Sequence, residues 1–120
     1  MNGAVDEFGR ALVEIHLRHS RIRRIVSLDA WIDTAFTGEL VLPMAVITSL
    51  ELPSGPILPA ILADGSQVEL TTYACQIRWF GKWKTVEVTA NEGPYPLLGV
   101  GLLLRRYLHI DYRARTLSLL

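Results

Sequence analysis

The segment that most constrains this chain runs Ala30-Trp31-Ile32-Asp33-Thr34-Ala35-Phe36-Thr37-Gly38-Glu39-Leu40-Val41-Leu42-Pro43. An apolar strand leads straight into an acid, then into small residues, then into a second apolar run closed by a proline. A carboxylate at the end of a buried strand is costly unless something uses or satisfies it. The fold must therefore carry Asp33 to a place where it is hydrogen-bonded or chemically engaged.

The flanking sequence is rich in strand signals. Between Ala11 and Leu17, Leu12, Val13, Ile15 and Leu17 stand against Glu14 and His16, which reads as a half-buried strand. A basic turn, Arg18 to Arg24, leads to a second strand over 25–32. Glu39 to Leu42 is short and β-prone, and Pro43 either ends it or opens a short helix with Met44-Ala45-Val46-Ile47. Leu52 to Pro59 is proline-rich and extended. Asp64-Gly65 between two β-prone runs is a hairpin signal. Thr71 to Phe80 continues as a long strand, and Gly81-Lys82 turns it back into 83–89. After the loop 91–96 come Leu97-Leu98-Gly99 and a leucine-rich, helix-like stretch over 101–107. The stretches 108–112 and 116–120 then read as a closing hairpin. Six or seven short strands with one short helix near the C-terminus predict a mostly β fold, a small barrel or a closed sandwich, in a single domain over 1–120.

Composition narrows the function classes. Half of the 120 residues are hydrophobic and one fifth are charged, a globular balance. Twelve basic residues match twelve acidic ones. A neutral chain lacks the cationic excess that drives nucleic-acid or membrane-surface binding. No apolar run reaches the ~20 residues of a membrane helix, and 1–10 lacks the apolar region of a signal peptide. The expectation is a cytoplasmic protein. Cys75 is the single cysteine, so no internal disulfide or cysteine-based zinc site is expected. His16 and His19 have no third ligand nearby in sequence, so no metal or other cofactor is expected. There is no Gly-rich phosphate loop and no Gly-x-Ser-x-Gly elbow.

The ordered set of motifs resembles the clan AA aspartic proteases, the retropepsin-like enzymes, and most of all the small bacterial members that read Asp-Thr-Gly-Phe-Thr-Gly. The resemblance covers nearly the whole chain from about residue 10, and Ala35 stands where that family has glycine. It implies the small closed retropepsin-like barrel. It places Asp33, with Thr34, Ala35, Phe36, Thr37 and Gly38, on the catalytic loop. It places Ala63, Asp64 and Gly65 at the tip of a flap that closes over substrate, and Leu97, Leu98 and Gly99 on the segment that threads beneath the catalytic loop, with a helix following.

The implied chemistry uses two carboxylates at one water, one ionised and one protonated, because close like charges cannot both ionise. This chain has one such loop, so the resemblance implies a homodimer with its site on a two-fold axis, acting on a peptide or protein substrate. Thr34 would bond across that axis, and the terminal strands would interleave into a shared sheet. The segment Thr116 to Leu120, an apolar edge ending in Leu117, Leu119 and Leu120, is expected to help make that interface.

Plainer roles stand beside these. Asp33 could close a strand as a turn acid, and its context points instead to the dyad. Asp64-Gly65 is at least a hairpin turn. Arg18, Arg21, Arg23 and Arg24 read as a solvated turn. Trp79 and Trp83 read as cover for apolar surface or a dimer edge, with no basic groove to support base stacking. Cys75 reads as a small buried hydrophobe. Two readings follow: an aspartic endopeptidase, or a dimer of the same fold that has lost catalysis and binds peptide in the same cleft. Ala35 is the residue on which they divide. Alanine keeps the backbone N–H that can hold the carboxylate, and it fits without strain only if its φ is negative.

Overall fold

The computed structural model describes all residues from Met1 to Leu120. Ten strands and two short helices follow one another as β1 (Asn2–Val5), β2 (Ala11–Arg18), β3 (Ile25–Ile32), β4 (Leu40–Pro43), α1 (Met44–Ser49), β5 (Ser54–Ile61), β6 (Gln67–Trp79), β7 (Lys82–Asn91), β8 (Leu97–Leu98), α2 (Val100–Leu103), β9 (Leu108–Asp111) and β10 (Thr116–Leu119). The period-two pattern of β2 buries Ala11, Val13, Ile15 and Leu17. β3 likewise turns Ala30 and Ile32 inward and Asp29 and Trp31 outward.

One sheet runs β5-β6-β7-β4-β8-β3-β2-β1-β10-β9, and β6 also pairs with β2 through Leu17↔Ile77 and Arg18↔Gln76. That pairing closes β6, β7, β4, β8, β3 and β2 into a ring. The side chains pointing into the ring include Val13, Ile15, Leu17, Leu40, Leu42, Ile77, Val86, Val88 and Leu98, each at most 2 % exposed. Closure removes the edges that a flat sheet would leave open. β5 and the β1-β10-β9 unit extend from the ring on either side.

Three turns show why the chain reverses where it does. The β6–β7 hairpin has a two-residue tip, Phe80 (φ 48°) and Gly81 (φ 84°), the left-handed pair of a type I′ turn. Phe80 is an uncommon residue there, and its ring packs edge-on against Trp79 with centroids 5.2 Å apart. α1 ends in a Schellman turn, with Glu51 N–H donating to Thr48 O and Leu52 N–H to Ile47 O. Glu51 holds φ 52° at the position where glycine is usual. At the β9–β10 turn, Asp111 Oδ1 accepts the N–H groups of Arg113 and Ala114.

The structure departs from the sequence reading in four places. Ten strands stand where six or seven were expected, and Pro43, which both ends β4 and caps α1, adds a second short helix to the one expected. α2 stops at Leu103, because Leu104 takes an extended ψ of 134° and Arg105 a left-handed φ of 64°. Tyr107 is already strand-like there, exchanging both backbone hydrogen bonds with Leu120. Asn2 to Val5, without an alternating pattern, becomes a strand because β2 and β10 pair with its two sides. Finally, β10 lies between β1 and β9 of its own chain, so Thr116–Leu119 has no open edge for interleaving with a second copy. Leu117 and Leu119 are buried inside the chain.

Candidate active site

Asp33 follows directly on β3, whose last residue Ile32 is buried and fixes the strand's end. The Asp33 N–H donates to Leu98 O at 2.9 Å. Its carboxylate Oδ1 accepts the Ala35 N–H at 3.0 Å, and its carbonyl accepts the Phe36 N–H at 3.3 Å. No lysine or arginine lies within ion-pair distance of the carboxylate. The acid is thus partly exposed, fixed through its backbone and held by one oxygen.

The loop rests on a second layer. β8 threads between β3 and β4, parallel to the first (Trp31↔Leu97, Ile32↔Leu98) and antiparallel to the second (Leu40↔Leu98, Val41↔Leu97). Three further hydrogen bonds fasten the loop to the start of α2. Gly99 N–H donates to Glu39 O at 2.9 Å, Val100 N–H to Phe36 O at 2.8 Å and Gly101 N–H to Gly38 O at 2.9 Å. These pairings and bonds set Leu97, Leu98 and Gly99 against the loop that carries Asp33.

Space, more than conformational freedom, explains the glycine at 99. Its φ of −95° and ψ of 176° suit any residue. A Cβ there would stand 2.8 Å from Phe36 O and closer still to the Phe36 ring and Gly38 O. At Gly101 a Cβ would come within 2.9 Å of Glu39 Cγ and 3.0 Å of the Gly38 carbonyl. The loop and the α2 start approach too closely for side chains between them.

Ala35 is exposed, and its φ is negative, since the only non-glycine residues with positive φ are Glu51, Phe80, Arg105 and Arg115. Alanine therefore fits this backbone without strain. Thr34 and Thr37 are also exposed, while the Phe36 ring tucks partly under the loop beside Gly38 and Gly99.

Ala63, Asp64 and Gly65 form the tip of the β5–β6 hairpin, as the Asp-Gly signal predicts. Leu62 N–H donates to Ser66 O, Gly65 N–H to Leu62 O, and Gly65 holds φ 85°. The Ser66 hydroxyl and N–H both donate to Asp64 Oδ1, and these bonds hold the Asp64 carboxyl below the usual range. The tip makes no hydrogen bond to the Asp33 loop. β5 is an edge strand carrying Pro56 and Pro59, with Ile57, Ile61 and Leu62 exposed along the hairpin.

A cluster beside the loop was not legible in the sequence. The Arg10 guanidinium lies 4.3 Å from the Tyr95 ring centre, 5.0 Å from Phe8 and 5.9 Å from Trp31. Trp31 and Tyr95 meet edge-on, and Trp31 N–H donates to Pro96 O. Asp6 anchors the cation through Arg10 Nε at 2.6 Å. Desolvation works to raise the Asp6 carboxyl, but hydrogen bonds from Arg10 and Phe8 outweigh it and lower it.

The remaining sequence candidates have local partners. Cys75 is buried, and burial pushes its thiol up to about 11. His16 meets Ser27 Oγ and Glu14, while His19 Nδ1 accepts the Arg21 N–H. No group of three or more His, Cys, Asp or Glu side chains converges. No helix is long and apolar enough to cross a membrane.

Neither a family model nor a curated protein sequence matches the chain. Solved structures do. A retropepsin-like aspartic protease from Rickettsia conorii aligns with a TM-score of 0.68 at 16% identity, covering 99% of this chain and 88% of that one. EIAV protease, solved with the inhibitor HBY-793, aligns with a TM-score of 0.57 at 19% identity, over 80% of this chain and 86% of that one. The mostly β fold with its closed ring is therefore the retropepsin-like fold expected from the sequence.

Proposed function

We propose that this chain is an aspartic endopeptidase that works as a homodimer, with one Asp33 from each copy at a shared water. The observation that carries the reading is the loop itself. Asp33 stands free of any cation on a loop sewn to Leu98, Gly99, Val100 and Gly101 by backbone hydrogen bonds. Such fixation holds a reacting group in place through its scaffold rather than its own contacts. The likeness in fold to retropepsin-like aspartic proteases supports the same reading.

The mechanism follows from the pairing of two carboxyls. The ionised Asp33 takes a proton from the water, and the water oxygen bonds to the peptide carbonyl carbon. The protonated Asp33 of the second copy donates its proton to the carbonyl oxygen. The tetrahedral species then collapses: one of its hydroxyls returns a proton to the second carboxylate, the C–N bond breaks, and the amine leaves with the proton held by the first carboxyl. The β5–β6 hairpin with Ala63-Asp64-Gly65 serves as the flap that covers the substrate and excludes water. The exposed Thr34 is free to bond the facing loop. Ala35, strain-free at negative φ, keeps the N–H that holds Asp33.

The dimer requirement has a topological consequence. β10 is flanked within the chain, so a second copy meets the sheet at one of its open edges, β9 or β5, or through the Asp33 loops. The test is incubation with a mixed peptide library from acidic to neutral pH. Cleavage by the wild type and none by Asp33→Asn is expected. A wild type that cuts nothing would leave the fold as a peptide-binding dimer and overturn the catalytic reading.

A further inference from the structure

Lys82, Trp83 and Lys84 open β7 opposite Leu104, Arg105 and Arg106, and the two stretches face each other across an open groove. Four cations line it and no carboxylate does. They include both lysines of the chain. None of the four is in an ion pair, since the only pairs join Asp6 to Arg10 and Glu14 to His16. Glu39, whose Cγ lies near Gly101, is outside the groove lining, and its Oε1 accepts the Glu87 N–H at 3.0 Å. The zero net charge of the chain hides this local excess. The sequence reading found no basic groove near the tryptophans, because Arg105 and Arg106 arrive from a distant segment.

One of the four cations is held in place by a ring, and two further arginines lie over Trp83. The Arg106 guanidinium lies 3.5 Å from the centre of the Phe80 ring, and Arg18 covers Trp83 at 4.0 Å, with Arg78 at 5.8 Å. A ring orients a cation without neutralising it, so the positive field stays available to an outside anion. The floor is apolar, with Leu102 and Trp79 buried, while Leu104 stands 66 % exposed at the rim. Arg105 holds a left-handed φ of 64°, which turns this segment away from the helix axis of α2.

Cationic walls over an apolar floor match one ligand chemistry best. We propose that this groove binds an acidic polypeptide segment that carries an apolar side chain. The cations are side chains spread along an open groove, unlike the convergent backbone N–H groups that cradle a single phosphate. A nucleic-acid strand would need exposed ring faces for its bases, and Arg18 already lies over Trp83. The groove stands apart from the protease reading, although Gly101, which holds Gly38 O, forms part of its wall.

The experiment is fluorescence anisotropy with a short labelled peptide of Glu and Asp residues around a single Phe. It is run on the wild type and on Asp33→Asn, so that loss of the protease reading leaves this result intact. Binding should be equal in the two and weaken as salt rises. Lys82→Glu with Lys84→Glu should weaken it by about tenfold or more. Arg113→Glu with Arg115→Glu, the same charge change on the β9–β10 turn, should leave it within about twofold. Far-UV circular dichroism verifies that each variant is folded, and Lys82→Gln with Lys84→Gln serves if the reversal is not. Four results overturn the proposal: no binding, equal loss in both charge-reversed pairs, equal affinity for a peptide lacking the Phe, or tighter binding of inorganic phosphate, an oligonucleotide or anionic vesicles.

Discussion

Gly99→Ala tests the stacking of the Asp33 loop on α2. The added methyl would stand 2.8 Å from Phe36 O, with Gly38 O and the Phe36 ring closer still. Two of those obstacles are backbone carbonyls, each already accepting a hydrogen bond, Phe36 O from Val100 and Gly38 O from Gly101. A flexible side chain could swing aside, but these groups move only with the loop. Overpacking costs about 1–3 kcal/mol, and weakening one of the two hydrogen bonds adds about 1 kcal/mol. The expected loss is therefore about 3 kcal/mol, or a Tm lower by roughly 10–15 °C for a domain of this size. Thermal and urea unfolding followed by circular dichroism reads both. Gly93→Ala is the control, because its Cβ would meet only the Asn91 side chain at 3.7 Å. It should stay within about 0.5 kcal/mol of the wild type. If Gly99→Ala unfolds at the wild-type midpoint with an unchanged urea slope, the loop and α2 are not in the contact described.

Glu51→Gly should stabilise the fold by about 0.5–1 kcal/mol, because glycine relieves the left-handed backbone at the end of α1 at some entropic cost; a lower urea midpoint would show that Glu51 has another role. Leu119→Ala should cost about 2–5 kcal/mol by emptying a fully buried site in β10. A loss seen only in self-association, with monomer stability intact, would restore that strand to an interface. Burial raises the Cys75 thiol to about 11, so the folded state keeps a proton there that the unfolded state loses near pH 8.5. Stability should therefore fall as pH rises from about 8.5 towards 11, and a thiol reagent at pH 8 should label Cys75 only on unfolding; immediate labelling would mean that the site is open.

The sequence foretold the parts of this fold that rest on periodicity and turn chemistry. The alternation from Ala11 to Leu17, the Asp64-Gly65 tip and the closing hairpin all have local physical signals. The same holds for Asp33, whose neighbours announce a strand end, whereas only the family resemblance sets Leu97-Leu98-Gly99 beneath its loop. What stayed hidden depends on contacts between distant segments. Asn2 to Val5 has no strand signature of its own and pairs only because β2 and β10 flank it. The early stop of α2 follows from the chain's need to bring Tyr107 beside Leu120. The cation–ring contacts of Arg10, Arg18 and Arg106 join residues from separate strands and loops, and nothing in their spacing announces them. The sequence poses whether alanine fits at position 35, and the negative backbone φ shows that it does.

The central claim is that each of two copies supplies one Asp33. Subunit mixing tests it most directly. Wild-type protein at a fixed concentration is equilibrated with increasing Asp33→Asn protein, and cleavage of a peptide substrate is followed. With random pairing, a ninefold excess of the variant should cut the activity to about one tenth, because most wild-type chains then sit in pairs with a single acid. Activity that stays constant through the titration, or a wild type with no cleavage to titrate, would contradict the account.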